Sequence, residues 1–336
     1  MSAGADPAGW WWGPRRAALW PLLPLAGLYC AAAWTRRQLY RWGLRRAWRA
    51  PVPVVVVGNL TVGGSGKTPL VVALARWLAA RGRRPGIVSR GYRRASGGAL
   101  LEVGPEDDAG TRGDEAVLMA RRAACPVVVA ADRPAGAARL VALGCDVVLS
   151  DDGLQHYRLA RDLEIAVVDG RRGHGNRWCL PAGPLREPLG RLRTVDAVVF
   201  NGGDPRPGTY AMRLEAGPLT PLAGGEAVPA ARWAGRRVHA VAGIGDPRRF
   251  FDLLAGLGLE VIPHPFPDHH PFRPRDLDFG DRLPVIMTEK DAVKCRFPVA
   301  GGAWYLPVTA RVDPRLLNLL AARLGLDAPA TDPEGH

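Results

Sequence analysis

The sequence predicts an α/β fold: a doubly wound, mostly parallel sheet, a second, smaller α/β domain, and an N-terminal membrane-associated helix. Three observations predict it. From Pro51 onward, short β-branched runs alternate with helical stretches, the pattern of a parallel sheet covered on both faces. One strand-to-helix junction carries Gly63-Gly64-Ser65-Gly66-Lys67-Thr68, which makes the sheet P-loop NTPase-like. Ahead of both lies Ala17–Trp34, a run without a charge, with Arg15 and Arg16 before it and Arg36 and Arg37 after it.

The composition bounds the rest. The 336 residues leave room for two domains of about 150 residues each. With 47% apolar and 23% charged residues, the chain is neither disordered nor a polytopic membrane protein. Five cysteines, with no C-x-x-C spacing, exclude a disulfide scaffold and the common zinc frameworks and suit a reducing compartment. The net charge is +13, yet the first fifty residues alone hold eight Arg, one acid and seven of the eleven Trp. Basicity so localised points to one surface-binding segment. Arginine outnumbers lysine almost throughout: the lysines are Lys67, Lys290 and Lys294.

Taken in order, residues 1–50 are a membrane-associated helical segment. As a helix, Ala17–Trp34 would be about 27 Å long, the short limit for spanning a bilayer, and Pro21 and Pro24 would kink it. Arg36–Arg49 reads as an amphipathic helix, with Tyr40, Leu44 and Trp48 on one face and Arg37, Arg41, Arg45 and Arg49 on another. Such a segment would seat Trp at the headgroups and Arg on anionic lipid. The arginine bias would keep the bulk of the protein on the cytoplasmic face. Two rivals stay open, a cleaved secretory signal and a buried core helix with a solvated arginine face. A nucleic-acid arm is disfavoured, because the arginines interleave with a long apolar run.

Val54–Val57, Gly86–Ser89, Val127–Ala130, Asp146–Ser150, Glu164–Val168 and Ala197–Phe200 read as buried strands. Leu70–Ala80, Glu115–Ala124 and Ala135–Leu143 read as helices. Residues 201–236, rich in Gly, Pro and Ala, read as a linker or hinge. A second α/β unit follows. Val238–Val241 is a strand, Asp246-Pro247 opens a helix that stops at Gly258, Val261, Val285–Thr288 and Trp304–Leu306 add strands, and Pro314–Leu324 is a closing helix. The expected division is 51–205 for the nucleotide-binding domain, 206–326 for the smaller domain that completes the site, and 327–336 for a frayed tail.

The P-loop carries the sharpest chemistry. Its backbone over Thr61, Val62, Gly63, Gly64, Ser65 and Gly66 would cradle phosphate at a helix N-terminus. Lys67 would reach the β- and γ-phosphates of ATP and Thr68 would ligate Mg²⁺. Thr61 stands where the usual first glycine would fall. Asp151-Asp152 ends an apolar strand in the manner of a Walker-B acid. Two adjacent Asp cannot both point inward along a strand, so one belongs in the turn. Gly113-Asp114-Glu115 opens a helix, where an acidic pair is either a cap or a reactive group. Asp268-His269-His270 lies between Pro267 and Pro271, either a base unit or a surface cluster. Leu180–Pro188 is a stiff loop presenting Arg186. Thr288-Glu289-Lys290-Asp291 is either a capping box or a basic group at a cleft.

Together these motifs resemble the tetraacyldisaccharide 4′-kinase family. The matching elements are Gly58-Asn59-Leu60-Thr61 leading into GGSGKTP, Ser89-Arg90-Gly91-Tyr92, Gly113-Asp114-Glu115, Asp132-Arg133, DDGLQH at 151–156, LPAGPLREP at 180–188, Asp268-His269 and TEKDAVK at 288–294. The resemblance implies ATP-dependent phosphorylation of the 4′-hydroxyl of a tetraacylated glucosamine disaccharide 1-phosphate, by an enzyme held on the cytoplasmic face of the inner membrane. It implies Asp114 as base with His269 as its dyad partner, and Lys67 and Arg186 as further catalytic groups. It also implies Mg²⁺ contacts from Thr68, Glu115, Asp151 and Asp152, and Tyr92 and Arg133 around the phosphates or acceptor. A monomer is expected, with a lipid substrate and no nucleic acid. Two rivals remain on the residues alone: a P-loop kinase of another amphiphilic or small hydroxyl acceptor, and a membrane-tethered nucleotide switch. Val62, where the partitioning ATPases carry a second lysine, counts against the switch.

Overall fold

The computed structural model describes residues 10–13, 17–91 and 100–326. A 3₁₀ turn at Ala17–Leu22 leads into α1 (Leu23–Arg41). The chain then alternates through β1 (Val54–Gly58), α2 (Lys67–Ala79), β2 (Pro85–Ser89), β3 (Leu101–Val103), α3 (Ala109–Arg112), α4 (Asp114–Ala123), β4 (Val127–Val129), α5 (Arg133–Ala142), β5 (Val147–Asp151), β6 (Leu163–Asp169) and β7 (Ala197–Asn201). There follow β8 (Tyr210–Ala216), β9 (Thr220–Pro221), β10 (Arg237–Ala242), α6 (Pro247–Gly256), β11 (Glu260–Pro265), β12 (Val285–Thr288), α7 (Glu289–Ala292), β13 (Ala303–Leu306), β14 (Val308–Val312) and α8 (Pro314–Leu324).

Nine strands form the large sheet, in the order β14-β8-β7-β6-β1-β5-β2-β4-β3. Only its edges, β3 and β14, run antiparallel to their neighbours. β1 is buried throughout, as are β2, β4 and β5, because covering both faces leaves no side for polar residues. One face packs against α2, α4 and α8 through Leu70, Leu74, Val117, Met119, Leu316 and Leu320. The other packs against α5 through Ala137 and Leu140. The second sheet has five strands, β11-β10-β12-β13-β9, with β9 antiparallel. Its faces are covered by α6, through Phe250 and Leu254, and by the segment carrying Phe272, Leu277 and Ala292.

The structure corrects several expectations. Residues 201–236 are more than a linker: they hold β8, which pairs with β7 and β14 in the large sheet, and β9 of the second sheet. β14 and α8, expected in the second unit, also return to the large sheet and its core. The chain therefore crosses between sheets after β8 and again before β14. There the Gly217 amide donates to the Pro307 carbonyl at 2.9 Å. β8 and β14 escaped notice because each is a half-buried strand carrying charge, such as Arg213, Glu215 and Arg311. The amphipathic helix expected over Arg36–Arg49 ends at Arg41. Trp42 and Gly43 turn the chain, and Trp48 bridges to Leu159. Although the cysteine pattern suits a reducing compartment, Cys30 and Cys179 are joined as a disulfide between α1 and the segment before the Pro-rich loop.

α1 packs by a narrow stripe. Its buried residues are Ala26 and Gln38, while Trp20, Leu25, Leu28 and Trp34 are exposed. A buried core helix is thereby excluded. By length and composition Ala18–Arg41 could cross a membrane, its most apolar 18-residue stretch having a mean hydropathy of 1.3.

Candidate active site

β1 ends at Gly58, and the chain turns through Asn59–Gly66 into α2. Gly66 caps α2 with φ +89°, a region an L side chain rarely adopts. A methyl group there would also strike the Asn201 amide. Asn201, fully buried at the end of β7, donates to the Ser65 carbonyl at 3.0 Å. Asn59 braces the loop from the other side, donating to Thr61 Oγ1 at 3.3 Å and accepting from Lys67 Nζ at 3.2 Å. The Pro-rich loop is laced to the same segment: Val62 N donates to Pro184 O at 2.8 Å and Arg186 N to Leu60 O at 2.6 Å. Thr61, in place of a glycine, is buried and bridges to Leu185. Gly63 and Gly64 remain exposed, so their backbone is open to an anion.

The two aspartates divide as strand geometry requires. Asp151 is the last residue of β5, while Asp152 sits in the turn with φ +49°, which short polar side chains tolerate. Asp152 is held by Arg186 at 3.0 and 2.8 Å and faces Lys67 Nζ at 3.6 Å. Burial opposes its charge, but Lys67 and Arg186 outweigh it and hold the carboxyl far below the usual range. Among the described residues Asp151 has no such partner. Burial, joined by the charge of Glu115, pushes it up to about 7, and its Oδ1 is buried without a hydrogen-bond partner.

Asp114 opens α4 and His269 lies in the loop after β11. They meet: His269 Nδ1 is 2.8 Å from Asp114 Oδ2 and 3.1 Å from Oδ1. Burial raises the Asp114 carboxyl, but the hydrogen bond to His269 and the charge of Lys290 bring it below its ordinary value. Lys290, at the start of α7, contacts Glu115 Oε1 at 3.0 Å, Asp268 Oδ1 at 3.2 Å and His269 Nε2 at 3.4 Å. Those charges more than offset burial and raise its ammonium above the ordinary lysine range. The second unit also reaches the P-loop: a methyl group on Gly245 would come within 3.3 Å of the Gly64 nitrogen. Asp291 fixes that turn, accepting from Gly243 N at 2.9 Å while Thr288 and Lys294 hold its carboxylate. Thr288-Glu289-Lys290-Asp291 thus serves in both ways considered, as a cap through Thr288 and Asp291 and as a basic group through Lys290.

Lys67, Arg186 and Asp152 therefore converge on the P-loop, and Asp114, Glu115 and His269 gather around Lys290. Arg133 lies at the floor of a cavity lined also by Asp132, His156 and Arg158. It is 1% exposed, and its guanidinium donates to the carbonyls of Ala130 at 2.6 Å and Asp151 at 3.1 Å. Its role here is to clamp the end of β5. Tyr92 lies outside the described residues. Among the described residues no group of three or more His, Cys, Asp or Glu has the geometry of a metal site. The sequence assigns no role to Asn59 or Asn201. It marks Lys290 only as a basic group at a cleft, a rare lysine inside the TEKDAVK motif, without naming its partners.

The family model described as tetraacyldisaccharide-1-P 4′-kinase matches residues 18–325. A tetraacyldisaccharide 4′-kinase of Alkalilimnicola ehrlichii is 55% identical over 318 residues, covering 95% of this chain and 96% of the relative. That of Aromatoleum aromaticum is 54% identical over 312 residues, covering 90% and 92%. The crystal structure of "apo" form LpxK from Aquifex aeolicus in complex with ATP superposes with a TM-score of 0.77 at 33% identity, covering 91% of this chain and 99% of that one.

Proposed function

The chain belongs to the tetraacyldisaccharide-1-P 4′-kinase family, and from that premise we propose how its own residues carry the reaction. The enzyme transfers phosphate from ATP to the 4′-hydroxyl of a tetraacyldisaccharide 1-phosphate, a step of lipid A synthesis. Phosphoryl transfer asks for charge neutralisation and alignment more than for covalent help. Lys67 and Arg186 supply cations on either side of Asp152, where they neutralise the transferring phosphate. The exposed backbone of Gly63 and Gly64 cradles it, with Ser65, Gly66 and Thr68 at the start of α2, while Val62 N ties the loop to Pro184. Asp114, oriented by His269, accepts the proton of the sugar hydroxyl. The observation that carries this reading is the 2.8 Å contact between Asp114 and His269, which brings one group from each sheet to a shared point beside the P-loop.

The residues fit a magnesium ion. The buried, partnerless Oδ1 of Asp151 is the kind of oxygen a cation satisfies, and Mg²⁺ commonly takes few protein ligands alongside substrate phosphates. Thr68, Glu115, Asp151 and Asp152 are its proposed contacts. Since no three carboxylates form a metal cluster among the described residues, one or two of them beside the nucleotide phosphates would hold it, and when bound it would spread the charge of the phosphate oxygens. Tyr92 remains a candidate for the acceptor side.

The acceptor is a lipid, and α1 supports a membrane-bound enzyme. Trp20, Leu25, Leu28 and Trp34 face outward with Trp42 and Leu44 beyond them, and arginines follow at 36, 37, 41, 45, 46 and 49. An interfacial segment of that kind sits on anionic lipid at the cytoplasmic face of the inner membrane. The groups invoked all come from one chain, so a monomer suffices. The division into 51–205 and 206–326 gives way to one by sheet membership, in which the second unit is the excursion between β8 and β14. The test of the reading is direct. The enzyme is given ATP and radiolabelled tetraacyldisaccharide 1-phosphate in detergent. Label should accumulate at the 4′ position, and none there while ATP binds would refute it.

A further inference from the structure

Lys290 and the pair Asp114–His269 form one unit, and the reaction as described uses only the pair. Lys290 enters from α7, on the second sheet. Two of its partners, Asp114 and Glu115, belong to α4 on the large sheet, and two, Asp268 and His269, to the loop after β11. Its Nζ lies 3.0 Å from Glu115 Oε1, 3.2 Å from Asp268 Oδ1, 3.4 Å from His269 Nε2 and 4.0 Å from Asp114 Oδ2.

Two physical consequences follow. An ammonium has three donors and no lone pair. A hydrogen bond from it to a ring nitrogen therefore uses that nitrogen's lone pair. The nitrogen it faces is Nε2, and accepting there leaves the ring proton on Nδ1, which lies 2.8 Å from Asp114 Oδ2. The second consequence is electrostatic. Asp114, Glu115 and Asp268 bring three carboxylates around a single cation, and without it their mutual repulsion would push the loop of His269 away from α4. Lys290 and Asp114 are mostly buried, with 16% and 7% of their side chains exposed, so their attraction is weakly screened, whereas Glu115 and Asp268, at 39% and 37%, are screened more.

We propose that Lys290 is a positioning residue that selects the Nδ1–H tautomer of His269 and holds Asp114 and His269 together across the two units. His269 then orients Asp114 as a donor, and Asp114 is the group that takes the proton. The proposal rests on the reading of Asp114 and His269 as the base pair of the kinase.

Nitrogen-15 histidine spectra of the full chain test it, with His269→Ala identifying the signal. His269 should show a protonated Nδ1 and a bare Nε2 in the wild type, and a shift toward the other tautomer in Lys290→Met. In steady-state assays Lys290→Met should lose about tenfold or more in kcat, with KM for ATP within about twofold. Lys290→Arg, which keeps the charge, should regain part of the loss. An Nε2–H form of His269 in the wild type would overturn the proposal, whether or not Lys290→Met folds. So would a kcat near wild type in Lys290→Met when Asp114→Asn and His269→Ala are inactive. Full activity in those two variants would instead overturn the base-pair reading, leaving the tautomer measurement to decide the role of Lys290.

Discussion

Lys67 shows how one side chain can serve function at little cost to the fold. Its partners, Asn59 at 3.2 Å and Asp152 at 3.6 Å, keep other ties: Asn59 to Thr61, Asp152 to Arg186. Lys67→Ala should therefore remove kinase activity by about a thousandfold or more, while calorimetry finds the melting transition within a few degrees of wild type. Asp114 behaves differently, because its charge is tied into structure as well as chemistry. Its carboxyl lies below the ordinary value of 3.8 in the folded state, so it contributes stability above that pH and loses it as pH falls through the folded value. Lys290 is raised above 10.5, so its contribution is complete below that pH and is lost only as pH rises through its folded value. Across neutral pH both are fully charged. The destabilisation of Asp114→Asn, about 2 kcal/mol, should be flat between about pH 5 and 8 and vanish in strong acid, as urea titrations at each pH would report.

At the scale of elements, the α2 N-terminus and α1 show opposite demands on sequence. The turn into α2 tolerates almost nothing: Gly66 needs its positive φ, and Asn201 occupies the space of any side chain there. α1 tolerates substitution on its outer face, because Leu25 and Leu28 touch little of the protein. Their effect should appear only in membrane binding. Leu25→Glu with Leu28→Glu should weaken sedimentation with anionic liposomes by about tenfold or more, since each buried Leu is worth about 1.5–3 kcal/mol. ATP binding by the same variant should be unchanged. Retained liposome binding would show that α1 does not insert.

At the scale of the molecule, the second sheet is an excursion of the chain from the large one, anchored at its two crossovers and by a few contacts between units. One of these is Arg122 of α4, which grips Glu289 of α7 at 3.1 Å to both oxygens and Thr309 Oγ1 of β14 at 3.0 Å. Glu289 is largely buried, and burial raises its carboxyl although Arg122 opposes this. Glu289→Ala would leave a mostly buried guanidinium short of its carboxylate. A loss of about 2 kcal/mol is expected in urea unfolding, with the Kd for ATP unchanged because Glu289 pairs with Arg122 and with no P-loop residue. A weaker Kd would mean that this ion pair also sets how the Gly245 turn meets the P-loop.

The sequence by itself determined the parallel α/β class, the P-loop, that Asp151 and Asp152 could not both point inward, and the family. These depend on local signals: continuous apolar runs, glycines at a strand-to-helix turn, and motifs in order. It also flagged Asp114 and His269, though only the family resemblance paired them. What it could not yield were features set by distant partners. β8 and β14 are strands because they pair with each other and with β7, and their own residues are half polar. Arg133 is a clamp because β5 ends against it, and Cys30 meets Cys179 only because α1 lies beside the Pro-rich loop. Lys290 takes its place from groups on α4 and on the loop after β11 that chain order holds far apart. Local pattern records which surfaces are buried, but which residues converge is settled by long-range packing, and that is where the site was assembled.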